Sequence, residues 1–287
     1  MSVLVATSAA RRRRNVLART LLAVASALAL LPLVLIVSYL LAQGLGAWSW
    51  HFFTTDPTGS FLGDPGGIRS ALIGTVAMVA LAALIAVPLG VGVALYETEF
   101  GREGRLARGV RFLIDVMTGV PSIVFGLFIY ISLVVSGVGG SFAGWKGSLA
   151  LALLMLPVVA RAAEVVLLLV PQSLREAAYA LGAPRWQVVG RVVLPTALPG
   201  ILTGTMLAIA RAAGETAPLL FTAAIVNGTT LNLGGRMNSL PAQIFQDVGQ
   251  AQVRLVQRAW GAALALVTMI LLLTLVARLL QRRNRLA

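Results

Sequence analysis

Six stretches of the chain are almost wholly apolar, near residues 17–42, 69–95, 110–135, 147–170, 195–226 and 257–280. Each is long enough to cross a hydrocarbon core, which needs about 20 helical residues. The pattern predicts an all-α membrane protein with six transmembrane helices. The first stretch follows the basic run Arg11–Arg14, so a cleaved signal peptide is the alternative there. Its apolar run is far longer than the roughly 7–15 residues of a signal core, and it reads as a retained anchor. Between the first two stretches, Trp48, Trp50, Phe52 and Phe53 form an interfacial aromatic belt, and a Pro/Gly-rich loop follows. His51 lies in that belt and reads as a surface residue. Residues 227–256 form a second polar segment, with turns at Asn227-Gly228 and Leu233-Gly234-Gly235. The apolar stretches are rich in Gly, Ala, Ser and Thr, as close helix packing in lipid requires. One membrane domain, residues 17–287, follows a basic tail of residues 1–16.

Composition narrows the function. Only 11% of the 287 residues are charged while 58% are hydrophobic, against about 25% charged in an ordinary soluble domain. Cysteine is absent and His51 is the one histidine. Disulfides, thiolate metal sites, cysteine nucleophiles and most histidine catalysis are thereby excluded. No catalytic or metal-binding residue is expected. The net charge of +13 suggests contact with anionic membrane lipids rather than nucleic acid, because the basic residues flank the apolar stretches in short clusters.

Their placement also sets an orientation. With both termini in the cytoplasm, seventeen of the 23 basic residues fall on inner segments and five on outer ones, leaving Arg211 inside a span. The inner set includes Arg11 to Arg14, Arg102, Arg105, Arg108, Arg111, Arg175, Arg185, Arg191, Arg282, Arg283 and Arg285; the outer set is Arg69, Lys146, Arg236, Arg254 and Arg258. The excess of positive charge on inner loops predicts both ends inside.

Two features carry chemistry. Arg211 and Glu215 stand four residues apart in the fifth stretch. A central arginine in a bilayer costs on the order of 2.5–3.5 kcal/mol on insertion scales, so such a residue is expected on a solute pathway. Glu215 lies one turn beyond Arg211 on the same helix face and can pair with it, leaving arginine donors free for an oxyanion. A packing salt bridge between helices is the alternative. Asp115, Arg161 and Glu164 are weaker candidates, the last two read as an i, i+3 interfacial pair. The second feature is the inner segment 171–194. Ser173 and Glu176 have capping-box spacing, with Pro171 as a competing helix start. Gly182 is expected to end that helix at positive φ, and Pro184 to open another near Arg185. Ala177 and Ala178 would give the first helix a small, flat face.

Glu176-Ala177-Ala178, three residues, Gly182, nine residues and Val192-x-Leu194-Pro195 resemble the EAA motif of ABC-importer permeases, with valine where isoleucine is usual. The resemblance implies that residues 171–194 are coupling helices docking on a cytoplasmic ATPase. Gly214-Glu215-Thr216-Ala217-Pro218-Leu219-Leu220 and Gly119-Val120-Pro121-Ser122-Ile123-Val124-Phe125-Gly126 are similar to signatures of the PstA-type permeases of bacterial phosphate importers. The sister PstC type and permeases for molybdate or sulfate remain alternatives. A membrane scaffold with no solute path is a more distant one. The resemblance implies a multi-pass subunit of the inner membrane and a separate ATPase dimer (PstB type) that binds ATP and Mg. It further implies a second permease (PstC type) and an extracytoplasmic phosphate-binding protein (PstS type). This chain has no Gly-x4-Gly-Lys-Ser/Thr loop, the phosphate-binding loop of such ATPases.

Overall fold

The structure, a computed structural model, describes residues 9–60, 63–101 and 104–283. Arg102, Arg285 and the first eight residues of the basic tail lie outside the described residues. Among the described residues the fold is helical, with one isolated bridge between Pro57 and Gly66. Five helices are continuous and apolar enough to cross a membrane: Arg11–Ala47, Arg69–Phe100, Gly144–Leu168, Arg185–Ala213 and Val253–Leu279. A sixth crossing is a broken pair, Arg105–Gly119 and Ser122–Val135, bent by 106°. These correspond to the six predicted stretches.

α1 (Ala9–Gly44) stands apart from the bundle and meets it only near its end, where Tyr39 packs edge-on to Trp260 at 5.1 Å. α2 (Trp50–Thr54) is a short helix that the apolar pattern did not reveal, capped by Ser49, whose hydroxyl accepts from the Phe52 N–H at 3.1 Å. α3 (Arg69–Leu95) continues into a widened π turn, Tyr96–Phe100. It shares the most extensive interface of the fold with α6 (Gly144–Leu168). Small residues make that approach close: a methyl group added at Gly90 would lie 2.9 Å from the Val159 side chain.

The third predicted span is corrected to two helices, α4 (Arg105–Gly119) and α5 (Ser122–Ile129, extended by a π turn to Val135). Pro121 has no N–H for the carbonyl four residues back, and its ring drives Val120 to ψ 130°. The fifth predicted span, 195–226, is also broken. α8 (Arg185–Val188) runs through a π turn into α9 (Leu194–Ala213), which stops at Gly214; α10 (Ala217–Thr222) follows. The physical cause is again a proline. Pro218 cannot bond to the Gly214 carbonyl, so the helix breaks there and restarts with Pro218 in the first turn of α10. Pro195 likewise leaves the Arg191 carbonyl without a helical donor, which accounts for the π turn Val189–Val193.

The segment 227–256, predicted from its turn residues alone, also holds α11 (Leu240–Val248), capped by Ser239. A buried polar chain fastens it to α12 (Val253–Arg283). The Asn238 amide donates to Gln243 at 2.6 Å and the Gln243 amide to Asp247 at 3.0 Å. Arg258 holds both Asp247 oxygens, at 2.7 and 2.8 Å. At the same end of the bundle, Arg69 and the Thr229 N–H grip Asp56 at 2.8 and 3.0 Å. The hydrogen bond from Arg69 is the main cause of the fall of the Asp56 carboxyl to about 2.

Candidate functional site

One candidate place lies at the opposite end of the bundle. After α6, Pro171 takes the cap position of α7 (Gln172–Ala180). Pro171 rather than Ser173 therefore starts the helix, and the Ser173–Glu176 capping box does not form: no side chain caps this terminus. Gly182 sits at φ +79°. Its N–H donates to the Tyr179 carbonyl at 2.9 Å, and the Ala183 N–H to that of Ala178 at 3.2 Å, the two bonds of a Schellman stop. Pro184 then caps α8 at Arg185, as expected from the sequence. Glu176 and Ala177 are exposed and Ala178 is half-buried. Large apolar side chains surround them: Leu181 is 89% exposed, with Leu174, Tyr179 and Trp186 also open.

The second place is the break between α9 and α10. Arg211 lies in the last turn of α9, where its charge suits the unpaired carbonyls of the helix end. Arg211 is exposed and Glu215 half-buried. Among the described residues no ion pair joins them. The expected pairing required one helix through both positions, and the helix ends between them. Along α9 an exposed stripe runs through Thr196, Thr203, Leu207, Arg211 and Gly214, while the opposite face buries Ala197, Ile201, Thr205, Ala208 and Ala212 against the bundle.

The broken helices meet. Built on Gly126 of α5, a methyl group would lie 2.6 Å from the Pro218 Cα of α10. Tyr130 and Phe221 continue that contact with ring centroids 6.1 Å apart. Thus the two segments 119–126 and 214–220, almost a hundred residues apart in the chain, are fitted to one another just after the end of α9. Gly126→Ala is expected to push α5 off α10 at a cost of about 1–3 kcal/mol, lowering the melting temperature of the detergent-purified protein. An unchanged melting temperature would show that this approach is not tight.

Between these two places lies a network that the sequence divided into separate candidates. Arg161 binds Glu164 at 2.5 Å and also Asp115, and Arg111 reaches Glu164 at 3.7 Å. These contacts join α4 to α6. Glu97 is buried near them with one oxygen unpaired. Ala162 of α6 faces Gly204 of α9, so Arg211 stands seven residues, roughly 10 Å, beyond the level of this network. The sequence reading missed one further pair. Arg175 of α7 donates to Glu99 at 2.8 Å with both side chains buried. Its only sequence signal is an arginine beside Glu176 and two acids, Glu97 and Glu99, at the end of α3.

Residues 86–286 match the family described as the inner membrane component of binding-protein-dependent transport systems. Phosphate transport system permease protein PstA 1 of Mycobacterium tuberculosis strain H37Rv is 40% identical over 283 residues, 96% of this chain and 91% of that protein. PstA of Pasteurella multocida is 39% identical over 269 residues, 94% and 95% of the two chains. Among solved structures, a bacterial alginate ABC transporter aligns with a TM-score of 0.66 at 16% identity, covering 95% of this chain and 96% of that one. The inward-facing MetNI methionine ABC transporter aligns at 0.60 with 22% identity, covering 76% and 94%. Those structural likenesses concern the fold. With the sequence relatives, they show that this chain belongs to the inner membrane components of binding-protein-dependent transport systems, grouped with PstA permeases, and is a multi-pass transport subunit rather than an enzyme.

Proposed function

We propose that the chain is the PstA-type permease of an importer that carries inorganic phosphate into the cytoplasm, energised by ATP hydrolysis in a separate subunit. The observation that carries this reading is the 40% identity to a phosphate permease across 96% of the chain. The partners that follow are a second permease, a PstB-type ATPase dimer holding ATP and Mg, and a PstS-type binding protein delivering phosphate outside. The exposed leucines and valines of α1 and α12 face lipid.

Two local features support a division of labour within the chain. A helix fixed by a glycine stop, with Glu176, Ala177 and Ala178 ringed by open apolar side chains, suits a cleft in the ATPase. Arg211 suits the solute path for a different reason. An arginine exposed on a single subunit, within a span, needs either water or another chain beside it; a path between two permeases supplies both. Arg211 then offers a transient counter-charge to phosphate, and Glu215 tempers that field from the next turn of chain.

Substrate identity is tested by uptake into proteoliposomes holding the assembled complex and its binding protein. Labelled phosphate uptake should require ATP and resist a hundredfold excess of sulfate or molybdate. Equal competition by either anion would replace the phosphate reading with another oxyanion. Topology is tested by reporter fusions. Fusions after Arg105 or Arg185 should report cytoplasm, and those near Gly59 or Asn238 the exterior; a reversal at any site would overturn the proposed orientation.

A further inference from the structure

Arg175 stands one residue before the exposed Glu176-Ala177 face, yet it points the other way and is the one buried residue of α7. Its guanidinium reaches three acceptors on two segments. Nη2 donates to Glu99 in the π turn that ends α3, at 2.8 Å, and to the Leu167 carbonyl at 3.0 Å; Nη1 donates to the Val170 carbonyl at 2.5 Å. Leu167 lies in the last turn of α6 and Val170 two residues beyond its end, where carbonyls outnumber the helical donors. A planar fork with fixed donor directions sets the geometry of these three acceptors, whereas a lysine ammonium, though it too has three donors, does not fix their plane. The neighbouring contact adds to the same joint: Arg185, opening α8, stacks on Phe100 at the foot of α3 with 5.2 Å to the ring centroid.

The connectivity matters. α7 is joined by the chain to α6 before it and to α8 and α9 after it, but nothing in the covalent path ties it to α3. α3 is the helix with the largest interface to α6, and its buried end holds Glu97, Thr98 and Glu99. The Arg175–Glu99 pair is therefore the direct polar link between the candidate docking helix and α3. A buried pair of this kind contributes little net stability, because desolvation offsets attraction, and its best-attested use is to fix register.

We propose that Arg175 and Glu99 are positioning residues for energy coupling: the pair transmits displacement of α7 to α3, so that α3 and α6 move with the docking helix as one body. The proposal rests on the reading of α7 as the ATPase docking site, and the test separates the two. In the complete transporter reconstituted with its binding protein, phosphate transported per ATP hydrolysed is measured for Glu99→Gln and Arg175→Lys. Glu99→Gln keeps the shape and an acceptor oxygen for Arg175 and removes the charge, at some cost in stability because the guanidinium stays buried. Both variants should assemble with the ATPase and hydrolyse ATP at the basal rate within about twofold, while the transport-to-hydrolysis ratio falls at least fivefold. A lower yield of complex with a wild-type ratio in what assembles would reduce the pair to a structural brace and overturn the proposal. A wild-type ratio and yield would overturn it equally. Ala177→Asp, on the exposed face of α7, is the companion variant. If it leaves ATPase recruitment intact, the docking reading fails. If it abolishes recruitment while Glu99→Gln keeps a wild-type ratio, the strut alone fails.

Discussion

Arg211→Gln should abolish phosphate uptake, by two orders of magnitude or more, in a complex that still assembles and hydrolyses ATP. The side chain is exposed at the end of α9, so its removal leaves no buried partner uncompensated and little reason for misfolding. A desolvated anion passing that level would meet no positive charge, and in a medium of low dielectric constant the missing attraction is large. Arg211→Lys should recover uptake in part, since it restores a charge without the two-pronged fork. Glu215→Gln should reduce uptake less than the arginine change does. The absence of an ion pair between the two sharpens the prediction for the exchange Arg211→Glu with Glu215→Arg. A packing bridge would tolerate the exchange, and full recovery of uptake would remove Arg211 from the path. On the present geometry the exchange stays inactive. The assays are uptake and hydrolysis on the same vesicles.

Gly182→Val should break the connection to the ATPase without disturbing membrane insertion. At φ +79° a β-branched residue costs about 1–3 kcal/mol, and nothing packs around the position to hold it there. The Schellman bonds to Tyr179 and Ala178 would open, and α7 would lose its fixed angle to α8. ATPase co-purifying with the permease, or stimulation of hydrolysis by loaded binding protein, should fall about tenfold. Gly182→Asn should be far milder, because asparagine tolerates the left-handed region. Equal behaviour of the two variants would show that the turn does not set the docking geometry.

How much of this was legible beforehand differs by level. The number of crossings was legible because apolar runs of span length have one cheap solution in lipid. Gly182 and Pro184 were legible because backbone conformation at those residues is set locally. The two breaks were under-read, although Pro121 and Pro218 stood in view: both lie in apolar stretches whose length alone suits one continuous helix, and membrane helices tolerate prolines such as Pro88 and Pro157. What distinguishes Pro121 and Pro218 is a glycine one turn or less before each, at Gly119 and Gly214. α2 and α11 were missed because short capped helices in polar segments leave no apolar periodicity, only Ser49 and Ser239 as caps. Arg175–Glu99 and Arg161–Asp115 were beyond reach, since their partners are far apart in sequence and meet only once the helices have packed.

The measurement that bears most directly on the account is the water accessibility of the α9 stripe in the assembled transporter. The chain contains no cysteine, so an introduced cysteine is the one thiol of this subunit and is read on its own band. Leu207→Cys and Gly214→Cys, on the exposed face that carries Arg211, are treated with a charged, membrane-impermeant thiol reagent during ATP turnover. Leu28→Cys on α1 and Leu272→Cys on α12 serve as lipid-facing controls. If Arg211 lines the path, the two α9 cysteines react, phosphate with its binding protein alters their rates, and the controls stay inert. Unreactive cysteines at both α9 positions, alongside active transport, would contradict a solute path along Arg211.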